Sequence, residues 1–329
     1  MNTESNAVPE SPLGSQAIAP AAMSATRPMY WSLRRELWEN RSIYIAPLAV
    51  AAVYLLGNII SLIWLPYTLR EHTMSELWMP PSMRELEGLK PMDQRVHLAM
   101  PYTHAAMLLM LIGFLVGIFY ALEALHGERR DRSILFWKSL PVSDLTTVLS
   151  KASIPLVVLP LLVFAITVTL QQIMRLLNLA VLAVNGGGAT TLWTRLPLLE
   201  MEVGLLYSVV VVTLWHAPIY CWFLLVSGWA RRAAFLWAVL PLLAIAAVEN
   251  IAFHTLYIGS VLHDRLFGFG AAAFDLKDKN GVPIDAHFIP LAQLAPGRFL
   301  SSPGLWIGLI VAAGCLVAAV RLRRYQAPL

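Results

Sequence analysis

His126–Lys151 reads HGERRDRSILFWKSLPVSDLTTVLSK, a polar stretch set between two runs long and apolar enough to cross a membrane. Its middle, Asp131–Leu140, predicts one short amphipathic helix. Ile134, Trp137 and Leu140 recur at three-residue spacing with Phe136 beside them, while Arg132 and Lys138 lie on other faces. Leu140-Pro141 ends that helix, because the residue before a proline is pushed out of the helical region. Ser143 then supplies an N-cap and Asp144 a first-turn acid for the helix that follows. An aromatic ridge with a basic flank, held at a membrane surface, suits docking into a partner's groove.

Whether a membrane is there is decided by composition. The 329 residues are 58% hydrophobic and 13% charged, with mean hydropathy +0.64. Soluble domains carry about a quarter charged residues, so this is the composition of an integral membrane protein. Six apolar spans are expected at residues 43–65, 104–125, 154–176, 203–227, 233–258 and 303–320. Each comes near the roughly 20 residues that a helix needs to cross about 30 Å of hydrocarbon. Pro47, Pro155, Pro160, Pro218 and Pro241 lie in or near these spans, where neighbouring helices re-satisfy the freed carbonyls. Cys221 and Cys315 each sit inside an apolar run, which predicts buried thiols and no disulfide framework.

Cations on alternating sides set the orientation. Arg27, Arg34, Arg35 and Arg41 fall on the side of the opening stretch, with Arg129, Arg130, Arg132, Lys138 and Lys151. Arg231, Arg232, Arg321, Arg323 and Arg324 join them, packed against span ends. The remaining cations are scattered through longer loops among acids. The positive-inside rule then places both termini and the 126–151 loop in the cytoplasm. The tight turn Gly228-Trp229-Ala230-Arg231, followed by Arg232, leaves little ambiguity. Residues 1–28, rich in Ala, Ser and Pro, read as a disordered cytoplasmic tail without a cleavable signal peptide. Residues 29–329 read as one six-helix domain, an all-α integral membrane protein. Tyr30–Arg41 predicts an interfacial amphipathic helix, with Trp31, Arg34, Arg35 and Trp38 at the headgroup layer.

Three long segments face the other side. Residues 66–103, with Pro80-Pro81 and Pro91, predict short helices broken by turns. Residues 177–202 contain the flexible Gly186-Gly187-Gly188, and residues 259–302 contain a hairpin-type Asn280-Gly281. Gly259, Gly268 and Gly270 point to a broken or re-entrant helix where span five meets this last segment.

No GxxxxGK[ST] phosphate loop occurs, nor any HExxH, GxSxG or CxxC pattern. The notable intramembrane polar group is Glu249-Asn250 with His254, since ionisable side chains in hydrocarbon usually face a bundle interior or a watery cavity. Asn250 and His254 are expected to share a helix face, lining a cavity or forming a structural hydrogen-bond cluster. His216, two residues before Pro218, is expected as a satisfied structural histidine or a cavity group. His97 and His104 would align if their helix ran through Pro101, but no metal site is expected from them. Asp275 and Asp278 fail the calcium-loop spacing.

The chain from about Trp31 onward resembles the permease subunits of ABC-2 type transporters, mostly exporters of bacterial inner membranes. The resemblance is carried by RRELWENRSIYIAP at 34–47, GERRDRSILFWKSLPVSD at 127–144 and SGWARRAAFLWAVLP at 227–241. It implies six spans with cytoplasmic termini, an interfacial connecting helix at the first segment, and a coupling helix at residues 131–140. Arg129, Arg130, Asp131, Arg132, Ile134, Leu135, Phe136, Trp137, Lys138 and Leu140 would then meet the groove of an ABC ATPase. It further implies two permease copies, two ATPase subunits, and ATP and magnesium bound by the ATPase rather than by this chain. No nucleic-acid partner is expected. Small re-entrant helices between spans five and six are a further expectation. The long first external segment departs from the best-known polysaccharide and lipid exporters. The rival readings are a membrane-embedded enzyme using Glu249, His254 and His216, and a non-transporting assembly subunit.

Overall fold

The structure, a computed structural model, describes residues 26–68, 91–131, 142–184, 196, 198–275 and 291–325. In these regions it is almost entirely helical. The elements are α1 (Thr26–Glu39), α2 (Ser42–Thr68), α3 (Pro91–Ala124), α4 (His126–Arg130) and α5 (Asp144–Ser153). A π-helical turn at Ile154–Val158 leads straight into α6 (Leu159–Val184). After it come α7 (Leu198–Trp229), α8 (Ala234–Phe253), α9 (Tyr257–Phe267), α10 (Phe269–Ala273), α11 (Pro296–Ser301) and α12 (Pro303–Tyr325). Six helices are long and apolar enough to cross a membrane: α2, α3, the α5–α6 rod, α7, α8 and α12.

Their order of burial follows from their sequences. α7 is apolar on every face, the pattern of a helix surrounded by protein or lipid, and it packs against α12, α3 and α6 at the centre. Of its most apolar window 56% is buried, against 11% for α8, which leans on the edge through α7 and α9. Small residues permit the tight central crossings. A Cβ on Gly113 would stand 2.7 Å from Val163 Cγ2, and one on Gly117 would stand 2.8 Å from the Tyr220 ring. The two cysteines are buried and unbridged where α7 meets α12.

Several boundaries differ from those read in the sequence. α3 begins at Pro91, not near residue 104, because Pro101 is absorbed within the helix. Tyr54 of α2 donates to the Pro101 carbonyl at 2.6 Å beside it. Span three likewise starts at Asp144, with Pro155 carried in the π turn, a device that spares the helix a full break. Span five stops at Phe253 instead of 258. His254 turns left-handed at φ 51°, and Leu256 leads into α9, so the expected break in this region is present. Ala233 is also left-handed, at φ 49°, where the chain swings from α7 to α8. Ser143 caps α5 as its sequence predicts, its Oγ accepting from Thr146 N at 3.1 Å. The segments with Gly186-Gly187-Gly188, Pro80-Pro81 and Asn280-Gly281 lie outside the described residues.

Candidate functional site

At the bundle end that carries α1 and the last turn of α12, five helices close on a buried ionic cluster. Glu36 of α1 is 1% exposed and Lys151 of α5 is 2% exposed. Lys151 Nζ donates to Glu36 Oε1 at 2.8 Å and lies 3.2 Å from Glu128 Oε1 of α4. Arg35 reaches the same two acids, Glu36 Oε1 at 2.9 Å and Glu128 Oε1 at 3.1 Å. Arg323 of α12 donates to Glu128 Oε2 at 2.5 Å and to Asp144 Oδ1 at 3.1 Å. From α3, Tyr120 OH donates to Glu36 Oε2 at 2.8 Å.

Three carboxylates (Glu36, Glu128, Asp144) therefore face three cations (Arg35, Lys151, Arg323), and the exposed Glu39 adds a fourth acid 3.5 Å from Arg35 Nε. Buried charges persist only when paired and hydrogen-bonded, and here each carboxylate has at least one cation in contact. Burial alone would raise the Glu36 carboxyl, but the Lys151 ammonium against it, with hydrogen bonds from Lys151 and Tyr120, holds it below its usual 4.5. Glu36 is ionised at neutral pH.

The geometry of the ends matters more than the charge. Asp131 and Val142 flank the segment 132–141, and the cluster grips the chain on both sides of it, through Glu128 before and through Asp144 and Lys151 after. The same cluster holds α1 and α12.

The docking residues read from the sequence divide. Arg129 turns inward and donates to the carbonyls of Gly228 at 2.7 Å and Ala230 at 3.4 Å, capping the end of α7. Arg130 is exposed and pairs with Glu123 at 3.0 Å and Asp131 at 3.2 Å. Arg132, Ile134, Leu135, Phe136, Trp137, Lys138 and Leu140 lie outside the described residues. On α1, Trp31 and Trp38 are exposed with Arg34 stacked over both rings, at 5.4 and 5.5 Å, whereas Arg35 points into the cluster. The four are thus not one headgroup-facing set.

At the second expected site Glu249 is hydrogen-bonded, but Asn250 and His254 do not share a helix face with it or with each other. The Glu249 carboxylate accepts from Thr255 Oγ1 at 2.8 Å, Tyr257 N at 2.7 Å and Ile258 N at 2.8 Å, which caps the start of α9. Because α8 ends at Phe253, Asn250 and His254 do not stack on a continuing helix face, and both are exposed. His216 is buried, its Nδ1 2.8 Å from Val212 O and its Nε2 3.3 Å from Leu266 O, with Phe114 and Phe269 against the ring. A neutral imidazole has one N–H and can donate to only one of these carbonyls, so His216 is a buried packing residue held by one hydrogen bond. Among the described residues, no group of three or more His, Cys, Asp or Glu side chains is placed to hold a metal ion.

Glu36, Glu128 and Lys151 were missed as site residues. Glu36 and Glu128 look like ordinary flanking charges, and 115 positions separate Glu36 from Lys151. One sequence signal was available: Glu36 follows Arg35 and lies on the α1 face opposite Arg34 and Trp38, where a lone acid on an inward face needs a cationic partner. Compared with protein-family models, with curated proteins and with solved structures, the chain matches none.

Proposed function

We propose that this chain is the membrane-spanning permease subunit of an ATP-binding cassette exporter of the ABC-2 type. Two copies form the translocation path in a bacterial inner membrane, with both termini cytoplasmic. Two separate ATPase subunits bind ATP and magnesium, and each inserts the 131–140 helix into its groove. The observation that carries this reading is the ionic cluster, which clamps both flanks of that segment to α1 and α12. A docking loop that transmits force needs stiff attachment to the spans, and a buried network of charge-assisted bonds provides it. The motif segments at 34–47, 127–144 and 227–241 and the clustering of cations at one end of the bundle support the same reading.

Coupling requires that the docking segment contact two ATPase states differently. Trp137→Ala and Ile134→Asp are therefore expected to abolish stimulation of the partner's ATP hydrolysis while leaving membrane insertion intact. Normal stimulation in both variants would overturn the proposal. The rival enzyme reading draws no support from Glu249, His254 and His216, which do not converge.

A further inference from the structure

A cleft of about 110 Å³ opens between α3, α6 and α7, near the bundle end opposite the ionic cluster. Its walls are two helix faces at matching helical spacing: Thr103, Ala106, Met107 and Met110 on α3, and Met201, Gly204, Leu205 and Ser208 on α7. Gln171 of α6 completes the lining, and the bridged pair Phe274 and Leu294 closes one end. That closure is anchored. Tyr207 OH donates to the Ala273 carbonyl at 3.0 Å, and Arg298 bonds the Phe274 carbonyl.

The polar groups in this cleft share one property. Ser208 Oγ donates its hydrogen to Gly204 O at 2.8 Å, and Thr103 Oγ1 donates to Ala99 O at 3.0 Å. Gln171 Nε2 donates to Tyr102 O at 3.0 Å. Ser208 and Thr103 have thus spent their single hydrogens and keep only acceptor oxygens, while Gln171 keeps Oε1 and one N–H. Gln171 is 2% exposed, and its Oε1 is buried with no hydrogen-bond partner. An unmade bond at a buried acceptor is costly, and native structures rarely keep one without a reason. No charged side chain is among the described residues that line the cleft, and the lining is mostly apolar.

We infer that this cleft is a binding site for a neutral amphiphile that presents a hydroxyl or amide N–H to Gln171 Oε1 and an alkyl chain or ring to the methionine-rich walls. Methionine suits such walls because its flexible, polarisable side chain adapts to varied apolar shapes. Ethers, ketones and esters of the same shape lack the donor and leave Gln171 unpaired. A site built around one hydrogen bond rejects the analogue lacking it far more strongly than a methylene is discriminated. This inference does not depend on an ATPase partner, so its failure and the failure of the coupling reading are separable.

The test uses the full chain in lipid nanodiscs and a pair of photoreactive probes, a diazirine-bearing decanol and its methyl ether. Labelled residues are mapped by mass spectrometry across a concentration series. The alcohol is expected to label the cleft walls saturably, at about tenfold lower concentration than the ether, the ratio for one well-placed hydrogen bond. Gln171→Leu should erase the difference between the two probes. Ala106→Phe, which fills the cleft while leaving Gln171 in place, should abolish saturable labelling by both. It also serves should Gln171→Leu fail to fold. Equal labelling by alcohol and ether would overturn the site. So would labelling spread over the exposed face of α8, or saturable labelling that survives Ala106→Phe.

Discussion

Glu36→Gln is the most informative perturbation of the ionic cluster. The substitution keeps the side-chain volume and removes one buried negative charge, leaving the buried Lys151 and Arg323 and the part-exposed Arg35 with one carboxylate fewer. Lys151 loses the partner at 2.8 Å and retains Glu128 at 3.2 Å. Removing one member of a buried pair costs about 3–5 kcal/mol, and the surviving Glu128 contact places this variant near the lower end, about 3 kcal/mol. Lys151→Met leaves the opposite imbalance and should cost a similar amount. The double variant removes one charge of each sign and so restores the native balance, with Glu128 and Asp144 still facing Arg35 and Arg323. Its total loss should stay near about 3 kcal/mol rather than about 6, an interaction energy far above the roughly 0.5 kcal/mol scatter of independent sites. Equilibrium unfolding of all four proteins in mixed micelles measures each value. Single-variant losses under about 1 kcal/mol that simply add would show that the cluster is not a coupled unit.

Three further outcomes follow from the same packing and charge arrangement. Glu36 has a carboxyl held below its usual 4.5, so its ionised form adds stability above that pH, lost as pH falls through the lowered value. The difference in melting temperature between wild type and Glu36→Gln should hold constant above pH 4.5 and shrink below it; a constant difference at all acid pH values would contradict the assignment. Glu249→Ala should speed amide hydrogen exchange at Tyr257 and Ile258, whose N–H groups it caps, and leave exchange around Glu36 unchanged. Gly113→Ile should destabilise the bundle by about 1–3 kcal/mol, since its Cβ alone would meet Val163 Cγ2 at 2.7 Å, and Val163→Ala should recover part of the loss in unfolding measurements.

Much of the architecture is legible because hydrocarbon imposes a simple rule: long apolar runs become helices. That rule locates all six spans and the buried cysteines. It fails at their ends. Pro91 and Pro101 read as breakers, yet α3 starts at the first and runs through the second, because a helix packed among others tolerates a missing donor. The shared face expected of Asn250 and His254, beside Glu249, fails for a related reason. Its spacing assumes a continuing helix, whereas the left-handed turn at His254 redirects the chain and gives the carboxylate three donors from the next segment. Arg129 looked like a docking cation by its neighbours, but its carbonyl partners lie about a hundred residues away on α7. The ionic cluster is least legible of all. Its members come from five helices, and no local pattern joins Glu36 to Lys151 or Glu128 to Arg323. Gln171 was hidden differently, counted only toward the length of an apolar span, though Thr167, Gln171, Arg175 and Asn178 recur along α6 at helical spacing.

The proposed role of the 131–140 segment is tested most directly by co-purification. The full chain is expressed with the product of an adjoining reading frame that carries a phosphate loop and an ABC signature, then isolated by a tag on this chain alone. The ATPase should co-purify with the intact chain in a one-to-one ratio and be lost when residues 131–140 are deleted, while the deleted chain still inserts in the membrane and elutes as a single species. Undiminished co-purification after the deletion would contradict the proposal.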